Sequence, residues 1–148
     1  MMRIVLSGSV LLAACAPLGA QPVATGEHVM PAKVVTTPIL RSGQTISSQP
    51  LKLPQGPAEM AAAAIEIAAG GATPIHQHPW SRFVYVEKGP VRVVNHDTGA
   101  TLDFQAGQVL PEVVGQWHEA RALAAPARLI VIDIVPPGVN NTVMRKQN

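Results

Sequence analysis

Short apolar stretches recur along the second half of the chain, and turn residues separate them. Alternation of apolar and polar positions, with β-branched and aromatic residues, predicts β-strands in these stretches. Between two of the stretches stands Asp97-Thr98-Gly99, a pattern typical of a β-hairpin turn. No helical crossover pattern separates the stretches, so we predict an all-β chain that folds as a sandwich or barrel. The predicted strands are Phe83–Val86, Val91–Asn95, Thr101–Phe104, Val109–Val114 and Leu129–Val135.

One further strand is predicted at Met60–Ala69, where two signals conflict. Ala61–Ala64 favours a helix by intrinsic propensity. Ile65-Glu66-Ile67 alternates, however, and Gly70-Gly71 ends the segment. The turn residues on both sides favour the strand.

The N-terminus has the pattern of an export signal. Arg3 precedes the apolar run Ile4–Ala14, which is too short to span a bilayer and is typical of a signal peptide. Leu12-Ala13-Ala14-Cys15 resembles the lipobox of bacterial lipoproteins, which implies a lipid on Cys15, membrane anchoring and a periplasmic or outer-membrane location. The alternatives are secretory cleavage after Leu18-Gly19-Ala20 and, least favoured, a cytosolic N-terminal strand.

The remaining organisation follows from composition. The region before about residue 57 is rich in proline, glycine and polar residues, with an extended stretch at Lys33–Leu40 that we interpret as an arm or edge strand. Cys15 is the only cysteine, so the exported domain has no internal disulfide. The predicted segments are a signal peptide at 1–14, a tether and N-terminal arm at 15–56, a β-barrel at 57–135 and a polar C-terminal tail at 136–148.

Composition excludes two classes of protein. Of the 148 residues, 47% are hydrophobic and 14% are charged, which argues against a disordered chain held open by its charges. The formal net charge is +2, and no lysine or arginine cluster is present that would neutralise a run of phosphates. We therefore expect no nucleic-acid partner.

Three histidines form the strongest chemical signal. His76 and His78 stand two residues apart, so an extended strand directs both imidazoles to one face. His118 follows Gly115-Gln116-Trp117, where the chain is expected to re-enter the sheet. The three rings are candidate ligands of one metal ion. His96, at the hairpin turn, is expected to be exposed, and His28, in the tether, to be uninvolved.

These residues lie within two motifs of a known family. Gly70, His76-Gln77-His78 and Gly89 resemble the first signature of the cupin family. Gly107, Pro111 and Gly115-Gln116-Trp117-His118 resemble its second. The resemblance covers Pro57–Val135. Within the family, the chain is most similar to small exported bacterial cupins of the cupin-2 type. It implies a single jelly-roll barrel, often dimeric, whose divalent metal is held by two histidines and a glutamate of the first motif and by the histidine of the second.

Position 82 departs from this pattern. Arg82 stands where the family's glutamate ligand is expected, and a guanidinium has no lone pair to offer a metal. A set of three neutral histidines favours zinc or copper, with nickel, iron or manganese as further options. Glu112 is a candidate fourth ligand, because an uninterrupted strand would place it on the same face as His118. A bulge at Gly115 would alter that parity, and a solvent-facing glutamate at the barrel rim is the alternative.

Four residues near the motifs are candidates for a ligand pocket. Trp80, Tyr85 and Trp117 offer aromatic faces that stack on flat or sugar-like ligands, although core packing is the more common role of such residues. Arg82 offers a partner for a ligand carboxylate, and a solvated arginine is the ordinary alternative.

Three functions are consistent with these features. The first is a small-molecule metalloenzyme of the cell envelope, of the oxygenase, lyase or isomerase type that the resemblance implies, with Glu112 or Glu119 as candidate bases. The second is a non-catalytic lipoprotein that binds or senses a small ligand or a metal. The third is a structural envelope protein. A homodimer is compatible with all three, and the residues identify no substrate.

Overall fold

The computed structural model describes residues 33–146, and these residues form β-strands and connecting loops without a helix. The predicted signal segment, Cys15 and His28 lie outside the described residues. In the described part, no helix is long and apolar enough to cross a membrane. All the strands belong to the unit of the chain that begins at Thr36. They are β1 (Glu59–Ile67), β2 (His76–Gln77), β3 (Arg82–Lys88), β4 (Val91–Asn95), β5 (Thr101–Phe104), β6 (Val109–Pro111), β7 (His118–Ala122), β8 (Ala127–Val135) and β9 (Val143–Met144).

The strands form two antiparallel sheets in a jelly-roll-like arrangement. One sheet has the order β1-β8-β3-β6, and the other has the order β5-β4-β7-β2-β9. Apolar side chains from both sheets pack into one core, because alternate residues of each strand face inward. In β8, for example, every second residue from Ala127 to Val135 is buried, and the residues that alternate with them are only partly buried. The all-β prediction is confirmed.

Strand β1 resolves the conflict at Met60–Ala69 in favour of a strand. Each residue from Glu59 to Ile67 pairs with a residue of β8. The alanine run favours a helix only weakly, and a full ladder of hydrogen bonds to a neighbouring strand outweighs that preference.

The predicted hairpin is formed by β4 and β5. Asn95 Oδ1 accepts hydrogen bonds from the backbone N–H groups of Asp97 and Thr98, at 3.0 and 3.1 Å. Gly99 has a φ of 74°, a conformation that glycine adopts without steric cost. The turn chemistry visible in the sequence therefore fixes this connection.

The two ends of the described chain compare differently with the prediction. Lys33–Leu40 contains no strand, so the edge-strand alternative is not formed, and its exposed side chains are compatible with an arm. The predicted polar tail is partly incorporated into the fold: β9 pairs with β2, and Asn141 is only 3% exposed. The physical reason is that β2 would be the edge of its sheet, with unpaired backbone groups, if β9 did not pair with it, and a polar composition does not reveal this.

Candidate metal centre

Four side chains from separate parts of the sequence converge inside the fold: His76, His78, Glu112 and His118. All four are buried, and one ligand atom from each lies within 4.8 Å of the ligand atoms of the others. The centroids of the three imidazole rings are 4.6 to 5.0 Å apart. This spacing allows all four groups to face one small ion.

Backbone pairing brings the four residues together. His76 lies opposite His118 in the β2–β7 ladder. Glu112 directly follows β6, and its N–H donates to the carbonyl of Arg82 at 2.8 Å, which continues the pairing of β6 with β3. Gly115, with a φ of 66°, turns the chain between Glu112 and His118, and its N–H donates to the carbonyl of His78 at 2.8 Å.

Glu112 therefore reaches the cluster by a route other than strand parity. It extends from β6 in one sheet, whereas His118 begins β7 in the other. The expectation of a shared face on one uninterrupted strand does not describe this arrangement. The structure also places Glu112 inside the fold, at 5% exposure, and away from a solvent-facing rim.

Hydrogen bonds at Nδ1 orient the three histidines in the same way. The Nδ1 atoms of His76, His78 and His118 lie 2.7, 2.7 and 2.9 Å from the backbone carbonyls of Pro74, Asn141 and Gln116 respectively. A carbonyl can only accept, so each Nδ1 carries the proton. In the neutral ring this leaves the lone pair on Nε2, the atom that faces the cluster.

Three of the converging atoms have no hydrogen-bond partner among the described residues. They are His78 Nε2, Glu112 Oε2 and His118 Nε2, and all are buried. Glu112 Oε2 lies 3.1 Å from His78 Nε2 and 3.6 Å from His118 Nε2, close enough for electrostatic attraction but without hydrogen-bond geometry. Buried polar atoms are nearly always satisfied in native proteins, and a cation between these atoms would satisfy them. The residues present thus fit a metal ion.

The charge states of His76 and Glu112 suit the same role. Burial lowers the pKa of His76 to about 4, and the neighbouring His118 and His78 rings add to this effect, so the ring is neutral near pH 7. Burial opposes ionisation of Glu112, but the adjacent His118 and His78 rings hold its pKa well below the usual range. Burial likewise acts to lower the pKa of His118, but Glu112 outweighs it and raises that pKa.

Arg82 lies inside the fold and is already paired. Its Nε and Nη2 donate to Asp133 Oδ1 and Oδ2 at 2.8 and 2.7 Å, and Nη2 also donates to Thr142 Oγ1 at 3.1 Å. The side chain is neither solvated nor directed at a free ligand carboxylate. Its positive charge is compensated by Asp133, and the carboxylate of the cluster comes from Glu112 instead of position 82.

The aromatic candidates are dispersed. Trp80 lines a cavity of about 270 Å³ together with Gln49, Lys52 and Ser81. Tyr85 is 38% exposed and lies on the face of β3 opposite to Arg82. The Trp117 ring is half-buried, and the Arg145 guanidinium lies 5.9 Å from its centroid.

Other residues singled out in the sequence lie apart from the cluster. His96 is exposed, as expected for a hairpin turn, and its Nε2 lies 3.1 Å from Glu119 Oε1. Glu119 is buried and also accepts from Arg121, so it has partners of its own.

Sequence reasoning missed two residues next to the cluster, Asp133 and Asn141. Asp133 carried a signal, as the only charged residue in the apolar run Leu129–Val135, because a buried charge requires a partner. Asn141 carried no such signal within a polar stretch. Its Nδ2 donates to Asp133 Oδ1 at 2.6 Å.

Comparisons with known proteins agree with this architecture. The family model for the cupin domain matches residues 63–133. A solved structure of the DMSP lyase DddQ from Ruegeria pomeroyi is similar, with 20% identity and a TM-score of 0.50 over 57% of this chain and 42% of that one. This chain thus spans less than half of the lyase. A double-stranded β-helix protein from Klebsiella pneumoniae has 15% identity and a TM-score of 0.51 over 73% of this chain and 90% of its own.

These structural similarities bear on the fold alone. Among curated proteins, none matches the sequence. The match to the family and the jelly-roll-like fold nevertheless lead to one conclusion: residues 63–133 form a cupin domain.

Proposed function

We propose that this cupin binds one divalent transition-metal ion through His76, His78, Glu112 and His118. The observation that carries the proposal is the set of three buried, unpartnered atoms on His78, Glu112 and His118. Leaving each of them unsatisfied costs about 1–3 kcal/mol. A cation held by all three, with His76 completing the set, would offset that cost.

The donor set widens the choice of metal beyond zinc and copper. Three imidazoles suit zinc, copper, iron and nickel, and a carboxylate adds an oxygen ligand that manganese also accepts. With three histidines alone, zinc or copper was favoured. Glu112 brings a negative oxygen into the cluster, so iron, nickel and manganese become equally compatible with the site.

We further propose that the site serves small-molecule chemistry of the oxygenase, lyase or isomerase type. A bound divalent metal would supply Lewis-acid activation of a substrate oxygen or of water. The chain's own residues would hold that metal, keep Nε2 of each histidine free of protons and exclude bulk water through burial. One protein of similar fold is a DMSP lyase, which supports a lyase among the reactions to be screened. The alternative is a non-catalytic protein that binds or senses a metal or a small ligand.

The cellular setting is a proposal from the sequence. Leu12–Cys15 supports export and lipid attachment at Cys15, and with it a periplasmic or outer-membrane location. Labelling with a radioactive fatty acid tests this. Incorporation in the native protein and its loss in Cys15→Ser are expected, and an unlabelled native protein in the soluble fraction would contradict lipidation.

Elemental analysis of the protein, purified without a histidine tag or chelator, tests the metal site. We expect about one transition-metal ion per chain, because the four ligands converge on one point. His76→Ala combined with His118→Ala should abolish tight binding, and Glu112→Gln should weaken it. His96→Ala is the matched control, since this histidine lies outside the cluster. The proposal would be overturned if the double variant retained stoichiometric metal. It would also be overturned if the folded native protein did not bind added metal.

A further inference from the structure

His78 differs from the other two histidines in where its Nδ1 partner comes from. The carbonyl partners of His76 and His118 lie two residues away in the same segment. The partner of His78 is the carbonyl of Asn141, 63 residues along the chain. The orientation of His76 and His118 is therefore a local property of their strands. The orientation of His78 depends on where the end of the chain is held.

Asn141 is fixed in place by its own side chain. Its Oδ1 accepts from the N–H of Trp80 at 2.8 Å, and its Nδ2 donates to the carbonyl of Trp80 at 3.2 Å and to Asp133 Oδ1 at 2.6 Å. These bonds attach it to the loop that follows His78 and to β8. The amide group of Asn141 is thereby satisfied on both sides, and its backbone carbonyl is directed at His78.

The residues on either side of Asn141 strengthen this attachment. Thr142 accepts from Arg82, which is itself paired with Asp133. Strand β9 then pairs with β2, with Met144 opposite His76 and Val143 opposite Gln77. The N–H of Arg145 donates to the carbonyl of Ile75 at 2.9 Å. The segment Asn141–Met144, here named the C-terminal clamp, thus contacts the surroundings of two candidate ligands.

We propose that Asn141 is a positioning residue for the metal site and that the C-terminal clamp completes that site. Its carbonyl holds the proton of His78 on Nδ1 and directs Nε2 at the metal. Partners of this kind usually alter metal affinity by 10- to 100-fold. The inference rests on the proposed metal-binding function and adds a residue outside both cupin motifs to the residues on which the site depends.

The test is Asn141→Ala in the full chain, with Val139→Ala as the control. Val139 precedes the C-terminal clamp and is 37% exposed. We expect Asn141→Ala to bind Zn²⁺ about 10- to 100-fold more weakly in competition with a chelator. The visible absorption of the Co²⁺-loaded variant should also change, because one ligand is reoriented. Val139→Ala should match the native protein in both measurements.

A second measurement is independent of metal. In ¹⁵N spectra of the metal-free native protein, the Nδ1 proton of His78 should exchange slowly with solvent, and Asn141→Ala should lose this protection. Protection that persists in Asn141→Ala, or unchanged Zn²⁺ affinity and Co²⁺ spectrum, would overturn the positioning role. A native protein that shows the protected proton but binds no Zn²⁺ would instead overturn the proposed function. If Asn141→Ala does not fold, Asn141→Ser, which keeps an acceptor for Trp80, is expected to show the same changes to a smaller extent.

Discussion

Two arginine–aspartate pairs in this protein have nearly the same geometry but lie in opposite surroundings. Arg82 and Asp133 are directly opposite in the β3–β8 ladder, and Arg92 and Asp103 are directly opposite in the β4–β5 ladder. Each arginine donates from Nε and Nη2 to the two oxygens of its aspartate. The distances are 2.8 and 2.7 Å in the first pair and 2.6 and 2.7 Å in the second.

Burial separates the two pairs. The side chains of Arg82 and Asp133 are 9% and 12% exposed, against 42% and 43% for Arg92 and Asp103. Water and salt screen the exposed pair, so its formation changes stability little. In the buried pair, removal of one partner leaves the other charge buried and uncompensated, which is strongly destabilising. The buried pair also contacts Asn141 and Thr142 of the C-terminal clamp.

Ion-pair geometry alone therefore does not predict the role of a pair. Arg92–Asp103 links the two strands of a hairpin at the surface. In the other pair, Asp133 compensates the charge of the Arg82 guanidinium, so this side chain can lie close to the metal ligands. The two pairs therefore provide matched variants for each other.

The largest expected difference is in folding stability. Asp133→Ala should lower the free energy of unfolding by about 3 kcal/mol, because it leaves the buried guanidinium of Arg82 unpaired. Asp103→Ala should leave the urea denaturation midpoint unchanged within error. Equal losses in the two variants would show that burial does not distinguish the pairs.

The second largest difference between variants of the two pairs is expected in metal affinity. Asp133→Asn removes the charge that compensates Arg82 and disturbs the hydrogen bond to Asn141, so Zn²⁺ binding should weaken about tenfold. Asp103→Asn should bind as the native protein does. Chelator competition measures both, and unchanged affinity in Asp133→Asn would mean that the buried pair acts on stability alone.

A smaller effect is expected when both buried charges are removed together. Arg82→Met combined with Asp133→Leu fills the space with apolar groups and leaves no uncompensated charge. The double variant should therefore be more stable than Asp133→Ala by at least about 1 kcal/mol, a difference that urea denaturation resolves. A double variant less stable than Asp133→Ala would show that the hydrogen bonds to the clamp matter more than the charge.

The smallest effect is a pH dependence. Burial opposes ionisation of Asp133, but Arg82 and Asn141 hold its pKa below the usual value. A carboxylate with a lowered folded pKa adds stability that is present above its unfolded pKa of about 3.9 and is lost as the pH falls through the folded value. The stability deficit of Asp133→Asn should thus be constant above about pH 5 and shrink below about pH 4. Thermal melts across this range measure it, and a deficit that grows in acid would contradict the assignment.

Much of the fold could be predicted from the sequence because its signals are local. Alternation along β8 and the turn chemistry of Asp97-Thr98-Gly99 are properties of neighbouring residues. The spacing of His76 and His78 likewise sets two imidazoles on one face without reference to the rest of the chain. His118 became a candidate ligand because it stands where the chain is expected to re-enter the sheet, and the second cupin motif supports it.

Only the tertiary structure decided which charged and polar groups accompany those histidines. Gly115 ends the strand parity that related Glu112 to His118, so the burial of Glu112 depends on the meeting of two sheets. Arg82 finds Asp133 51 residues away, and His78 finds Asn141 63 residues away. The sequence by itself determined strands β1, β3, β4, β5, β6 and β8 and the candidate histidines, since the signals for these lie among neighbouring residues. The carboxylate of the cluster, the partner of the arginine and the clamp on His78 follow from the pairing of distant strands, which depends on the packing of the whole domain.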